Sequence, residues 1–122
     1  MILREPTVAD KAAIEQMVAD FEQENSAHDG GMWESGKFNF EQWLAMCEQS
    51  RMNPPEGFVP AVEFVSFKDG KAIGVLNVRL KLNEHLLNYG GHIGYGIRPS
   101  ERRKGYAKEQ LALGLESAVS LV

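Results

Sequence analysis

The chain has 122 residues, the length of a single domain. Hydrophobic residues make up 43% and charged residues 25%, which excludes a disordered or collagen-like chain. The apolar runs are too short to span a membrane, and the first residues do not have the pattern of a secretory signal. Because the single cysteine, Cys47, cannot form an internal disulfide, we expect a protein of the reducing cytoplasm.

The net charge of −4 is unevenly distributed along the chain. Residues 1–56 carry eleven acids against four bases, whereas residues 57–122 carry six acids against nine bases. Five of those bases lie within residues 98–108. A local basic cluster on an acidic protein predicts a small anionic ligand. It argues against a long nucleic acid, which favours a larger basic face.

The first half of the sequence predicts one strand and two helices. The strand covers Met1–Glu5, and Thr7 with Asp10 forms a capping pattern for a helix over 8–24. Residues 25–38 predict a loop. A second helix begins at Asn39 and stops before Pro54. The apolar residues that repeat at helical spacing on these two helices are Ile14, Met17, Val18, Phe21, Phe40, Trp43, Leu44 and Cys47, and we expect Trp43 and Cys47 in the core.

The second half predicts three strands and a last helix. Residues 59–82 alternate with a period of two around Asp69-Gly70, a strong hairpin pattern. A polar connection over 83–88 leads to a strand at His92–Ile97, and residues 104–120 predict a helix. We expect its core stripe to be Ala107, Leu111, Leu115 and Ala118. Three apolar residues lie off that stripe, namely Leu113, Val119 and Leu121.

The element order is therefore β-α-α-β-β-β-α in one domain over residues 1–122. This order predicts an α/β fold with a mixed sheet.

The stretch from Gly94 to Lys108 is the most informative for chemistry. A strand runs into a polar turn and then into a helix that has Gly105 in its first turn. The first N–H groups of a helix have no internal partners, and a glycine lets a ligand approach them. The stretch is either a pyrophosphate cradle or an ordinary solvated helix start. It has neither the Walker spacing nor the dinucleotide fingerprint.

A resemblance favours the first interpretation. The segment Arg102-Arg103-Lys104-Gly105-Tyr106-Ala107 resembles the Arg/Gln-x-x-Gly-x-Gly/Ala signature of the GNAT N-acetyltransferase superfamily. The preceding Ile97-Arg98-Pro99 and the whole element order agree with it, and the segment from Gly90 to Arg102 is similar to a predicted-acetyltransferase branch. The resemblance implies a partial acyl-CoA N-acyltransferase fold that binds acetyl-CoA and no metal.

The resemblance also implies which residues hold the cofactor. The backbone of Tyr95, Gly96 and Ile97 would pair with the pantetheine arm. The residues implied at the pyrophosphate are Arg102, Arg103, Lys104, Gly105, Tyr106, Ala107 and Lys108.

Acetyl transfer to an amine is aminolysis of a thioester, which needs oxyanion donors, a base and an acid. His92 is the preferred base candidate because the pKa of histidine is ordinarily near neutrality. The alternative, a strand-end histidine bonded to backbone, is the more common role of such a residue. Glu34 and His28 either line an acceptor cleft or are simply solvated. We expect Tyr95 in the core and not as the acid.

The family pattern continues beyond Val122 with a strand, a helix and two strands. The chain is therefore expected to be either a truncated acetyltransferase or a fragment of a longer protein, and we expect impaired turnover of the 122-residue form. The leading hypothesis is an acetyl-CoA-dependent N-acetyltransferase acting on a small-molecule or peptide amine. The alternatives are a non-catalytic CoA-binding or protein-interaction domain and a nucleotide-phosphate-binding protein. We expect neither nucleic acid nor membrane as a partner. An open edge beside the 92–97 strand and the apolar last helix predict a homodimer.

Overall fold

The computed structural model describes residues 1–28, 30–53, 60–79 and 93–121, with side chains up to residue 117. The elements are β1 Ile2–Arg4, α1 Lys11–Gln23, α2 Phe40–Met52, β2 Ala61–Lys68, β3 Lys71–Arg79, β4 Ile93–Ile97 and α3 Tyr106–Leu121. The order of these elements agrees with the predicted order β-α-α-β-β-β-α, and the predicted α/β fold class is confirmed. The predicted connection over 83–88 and the candidate base His92 lie outside the described residues.

The four described strands form one sheet in the order β1-β2-β3-β4, and every neighbouring pair is antiparallel. The predicted hairpin joins β2 to β3, and Asp69 and Gly70 adopt φ angles of 52° and 79° at its tip. Two left-handed residues match the twist of an antiparallel pair, which is why Asp-Gly suits this position. One row of the sheet runs Glu63, Asn77, Gly94 across β2, β3 and β4.

Helices cover both faces of the sheet. The buried side chains of α1 and α2 pack with Val65, Ala72 and Val75 in one cluster, and α3 contacts β3 and β4. β2 and β3 are therefore buried along most of their length. Trp43 and Cys47 belong to this core, as the sequence predicts. Among the described residues no helix is both long and apolar enough to cross a membrane.

Both predicted helix caps are present. The backbone N–H of Thr7 donates to the Asp10 carboxylate at 2.7 Å, and the chain makes a short 3₁₀ turn over Val8–Asp10 before α1. Arg4 donates to the same carboxylate at 2.8 Å, and this hydrogen bond is the main reason that the pKa of Asp10 is lowered. At α2, the Asn39 side chain accepts from the backbone N–H of Gln42 at 2.9 Å.

The predicted core stripe of the last helix is wrong. Gln110 is fully buried and Gly114 is buried, whereas Leu115 is 53% exposed and Ala107 is exposed. The reason is close packing, since a Cβ at Gly114 would lie 2.6 Å from a Leu76 methyl carbon. The expectations for Ala118, Val119 and Leu121 lie beyond the described side chains.

Gln110 is tolerated under the helix because its polar atoms are occupied. Its side-chain amide donates to the Val75 carbonyl at 3.0 Å and to the Gly96 carbonyl at 3.4 Å. The Ser66 hydroxyl donates to its Oε1. A buried amide that bonds to carbonyls of both β3 and β4 fixes α3 on the sheet more specifically than an apolar stripe would.

Glu63 is the least expected core residue. It is 2% exposed, and neither carboxylate oxygen has a hydrogen-bond partner among the described residues. Burial raises the pKa of Glu63 well above its ordinary value, because a charge is costly in an apolar environment. Burial also raises the pKa of the neighbouring Cys47 thiol, with the Glu63 carboxylate as a smaller cause.

We expect Glu63→Gln to stabilise the protein at neutral pH. The folded protein holds a proton on Glu63 that the unfolded chain has lost, so stability falls as pH rises above the ordinary carboxyl pKa. Glutamine cannot ionise, and the free energy of unfolding should rise by on the order of 1 kcal/mol at pH 7 while changing little at pH 4. Urea unfolding at both pH values measures this. The exposed Glu48→Gln is the control, and an equal gain in both variants would contradict the explanation.

Candidate functional site

A groove of about 550 Å³ opens between the edge of β4, the start of α3 and the chain that follows α1. Its lining contains every residue that the sequence predicts at the cofactor except Lys104. These are Tyr95, Gly96, Ile97, Arg102, Arg103, Gly105, Tyr106, Ala107 and Lys108. Ser26, Ala27 and Glu101 complete the lining, and the sequence did not predict them.

The strand wall of the groove is the outer edge of β4. In the described part of the chain β4 pairs only with β3, so the backbone of Tyr95–Ile97 has one edge toward the groove. Tyr95 is 39% exposed, which makes the expectation of a core tyrosine wrong. Gly30 packs directly against Gly94, the residue of β4 that precedes Tyr95. A Cβ added at Gly30 would lie 2.3 Å from the Gly94 carbonyl oxygen, so the approach is too close for any other residue. The loop after α1 thus covers the edge at Gly94.

The helix wall of the groove is the turn that begins α3. Arg103 and Gly105 have φ angles of 64° and 80°, and a Cβ added at Gly105 would meet nothing within 4 Å. Glu109 donates its backbone N–H to the Gly105 carbonyl at 3.3 Å, so the N–H groups of the intervening residues have no partner inside the helix. Free amides at the positive end of a helix form an anion site.

The basic cluster divides into cations that hold the turn and cations that face the groove. Arg102 donates through Nε to the Ile97 carbonyl at 2.9 Å and through Nη2 to the Ser26 hydroxyl at 2.6 Å. Lys104 pairs with the nearly buried Glu101 at 3.2 Å. Arg103 and Lys108 line the groove and form no ion pair with another described side chain. These two supply the positive charge that a ligand would meet first.

A partly buried carboxylate holds the turn against α1. Asp20 accepts from Arg98 Nε at 2.7 Å, from the Ser100 backbone N–H at 3.3 Å and from the Ser100 hydroxyl. Burial tends to raise the pKa of Asp20, but the hydrogen bonds from Ser100 and Arg98 outweigh it and the pKa is lowered. The sequence did not predict this contact, because Arg98 and Ser100 lie 78 and 80 residues after Asp20 in the chain.

The Ser26 side of the groove follows from how α1 ends. Asn25 has a φ of 50°, and the Ser26 N–H donates to the Phe21 carbonyl at 2.9 Å, so the chain turns sharply after the helix. Asparagine directly after a helix is typical of such a turn, and this pattern could have placed Ser26 near the helix end. That Ser26 then faces Arg102 is decided by the tertiary structure, because the two residues are 76 positions apart.

The structure does not bring Glu34 or His28, two of the residues considered for the acceptor side, to the groove. Glu34 is 73% exposed and pairs with Lys37 at 3.5 Å. His28 stacks on Trp33 with ring centroids 4.0 Å apart, and its Nε2 lies 3.1 Å from the Ser35 hydroxyl. Neither lines the groove, and His92 is outside the described residues. The described lining contains one carboxylate, Glu101, which is engaged by Lys104.

The comparison with protein families agrees with this geometry. A family model described as "Acetyltransferase (GNAT) domain" matches residues 1–121. The chain belongs to the GNAT acetyltransferase family. Neither a curated protein nor a solved structure matches it significantly. GNAT domains in general use acetyl-CoA to acetylate an acceptor, so the family and the groove point to the same class of chemistry.

We expect Asp20→Asn to weaken this GNAT domain. Removing one partner of a mostly buried ion pair leaves Arg98 uncompensated, at a cost on the order of 3 kcal/mol at pH 7. Because the folded pKa of Asp20 is lowered, its contribution is present above the ordinary carboxyl pKa and is lost as pH falls through the folded value. Urea unfolding between pH 2 and 7 measures this. As the pH falls, the free energy of unfolding should decrease less in Asp20→Asn than in the wild type.

The control for this substitution is Glu15→Gln, an exposed acid on the same helix. It should leave the unfolding free energy nearly unchanged. Equal losses in the two variants would mean that the ion pair does not hold the turn.

Proposed function

We propose that the groove binds acetyl-CoA. The pyrophosphate would lie on the free amides at the start of α3, and the pantetheine arm would run along the edge of β4 at Tyr95–Ile97. One observation carries the proposal. The edge of β4 and the start of α3, where Gly105 leaves open space, line the same groove of about 550 Å³. A phosphate-binding helix start alone would not need the strand edge.

The proposed reaction is acetyl transfer to a small-molecule or peptide amine. The neutral amine attacks the thioester carbonyl, a backbone N–H near Ile97 stabilises the oxyanion, and the thiolate leaves. His92 directly precedes β4 in the chain, and we retain it as the proposed base that takes the proton from the amine. Glu34 has no role in this proposal because it lies outside the groove lining.

A second candidate function is binding of CoA without turnover. The observation that favours it is the chemistry of the described lining, where the one carboxylate is engaged and no histidine is present. In that case the chain would be a CoA-binding or protein-interaction domain of the same family. Binding and turnover must therefore be measured separately.

We expect Gly105→Glu to abolish CoA binding. A side chain at this left-handed position projects into open groove space, and its negative charge would repel the pyrophosphate. Calorimetric titration with CoA measures the loss, and an affinity reduced by more than roughly tenfold is expected from replacing a favourable charge contact by a repulsive one.

Gly70→Glu is the matched control. Gly70 has a φ of 79° and open space around it, but it lies at the tip of the β2–β3 hairpin. The same backbone strain and charge there should leave CoA affinity unchanged. Equal affinity in wild type and Gly105→Glu, or no wild-type binding at millimolar CoA, would exclude this site.

We expect slow acetyl transfer by this chain. A missing or misplaced general acid–base group costs about 10²–10⁴ in rate, and the described lining supplies neither a histidine nor an unengaged carboxylate. Thiol release over a panel of primary amines should stay well below the enzyme median of about 10 per second. His92→Ala should lower the rate further without changing CoA affinity. Turnover at the median rate would contradict the expectation, and CoA binding with no thiol release would favour the second function.

We also propose a homodimer formed through α3. Leu115 is 53% exposed, and a leucine side chain contributes roughly 1.5–3 kcal/mol when it is fully buried, whereas Leu113 is half-buried and lies on the other side of the helix. The edge of β4 is the weaker candidate for pairing, because Gly30 covers it at Gly94 and the proposed cofactor uses the rest. A two-fold contact between α3 helices is the simplest closed arrangement.

Light scattering coupled to size exclusion tests the dimer. The wild type should show the mass of two chains at micromolar concentration, and Leu115→Lys should shift it to the mass of one. A wild-type mass of one chain at every concentration would contradict the proposal.

We propose the cytoplasm as the location of the protein. The support is a single cysteine, Cys47, that is buried and free. A thiol of this kind suits a reducing compartment.

A further inference from the structure

A second cavity, of about 330 Å³, lies between the chain that follows β1, helix α2 and strand β2. Among the described residues, this cavity and the groove have no lining residue in common. β2 and β4 are separated by β3, so the two sites are on strands roughly 10 Å apart. Nothing in the proposed acetyl transfer uses this second cavity.

Glu63 lines this cavity and has no partner for either carboxylate oxygen among the described residues. It is 2% exposed. A buried carboxyl without hydrogen bonds is costly, and native proteins rarely keep one without a reason. Both carboxylate oxygens are closed off from water in the empty cavity, so a ligand reaches them only when the Glu63 side chain turns toward the cavity.

The charges around the cavity favour a cation. Glu5 and Glu48 also line it, and the one base in the described lining, Arg51, pairs with Glu5 at 3.4 Å. Arg51 offsets Glu5, so Glu48 gives the described lining a net negative charge even while Glu63 holds a proton. An anion would be repelled by this lining.

The remaining lining favours an organic cation over a metal ion. Pro6, Val8 and Leu44 provide apolar walls. No group of three or more potential metal ligands occurs among the described histidine, cysteine, aspartate and glutamate residues. A cation with a short carbon chain needs one carboxylate and an apolar wall, and this cavity offers both.

We propose that the cavity is a binding site for a small primary ammonium ion, with the ammonium group at Glu63 and its carbon chain against Val8 and Leu44. This site is separate from the acetyl-transfer groove and does not depend on the proposed function. Since burial raises the pKa of Glu63, the empty site holds a proton on the carboxyl. Binding of the ammonium ion ionises Glu63, and that proton passes to the solvent.

Calorimetric titration with n-butylammonium chloride tests the site. We expect saturable binding in the millimolar range or tighter, with an enthalpy that changes between buffers of different ionisation enthalpy because a proton is released. n-Butanol, which lacks the charge, should bind at least roughly tenfold more weakly. Equal binding of the alcohol, or no heat from the amine, would overturn the proposal. Saturating CoA should leave amine binding unchanged, and direct competition would place the amine in the groove instead.

Two variants and one control locate the site. Glu63→Gln should lose amine binding by more than roughly tenfold, together with the buffer dependence of the enthalpy. Val8→Arg, at a lining position that is 78% exposed, should weaken binding roughly fivefold by placing a positive charge beside the cavity. The exposed Gln23→Arg adds the same charge away from the cavity and should change nothing.

Circular dichroism establishes that each variant is folded before titration. Should Glu63→Gln fail to fold, the side-chain carboxyl ¹³C shift of Glu63 in the wild type gives the answer. It should move to the ionised value as amine is added. An unmoved carboxyl resonance, or unchanged affinity in Val8→Arg, would exclude Glu63 and this cavity.

Discussion

The contact between Asp20 and the turn before α3 is the interaction on which the groove depends. One carboxylate on α1 accepts from Arg98 and from both the backbone and the hydroxyl of Ser100. It fixes the chain between β4 and α3 relative to the helix on the opposite side of the sheet. The loop after α1, which supplies Ser26 and Gly30, is thereby held beside β4. That anchor acts together with Arg102 and Gln110, which bond directly from the turn before α3 and from α3 itself to the carbonyls of β4.

The second constraint is the close approach of α3 to the sheet. Gly114 leaves room for Leu76, and Gln110 bonds to the carbonyls of Val75 and Gly96. A helix held by an amide and a glycine has a defined rotation about its own axis, because either group would be unsatisfied or would clash in another orientation. That rotation exposes Leu115 and directs the free amides of the first turn into the groove. The same packing therefore sets both the proposed cofactor site and the proposed dimer surface.

The acidic character of the chain is used differently at its two cavities. In the groove, acids serve the structure: Asp20 and Glu101 engage Arg98 and Lys104, and leave Arg103 and Lys108 to face a ligand. In the second cavity the acid is itself unpartnered among the described residues, because neither carboxylate oxygen of the buried Glu63 has a hydrogen-bond partner there. Removing water from a charge is costly, so a buried carboxyl is either paired with a partner or keeps its proton until a partner binds. This contrast is why we assign an anionic cofactor to one cavity and a cationic ligand to the other.

The sequence by itself determined the element order, the hairpin at Asp69-Gly70, both helix caps and nearly all of the groove residues on β4 and α3. These depend on local chemistry: turn geometry, capping side chains, strand alternation and a short motif that lies within one continuous segment. Only the tertiary structure decided that Asp20 anchors Arg98, that Ser26 completes the groove and that Gln110 and not Leu115 faces the sheet. The first two join residues more than seventy positions apart. The third depends on how closely two backbones approach, which apolar spacing along a helix does not encode.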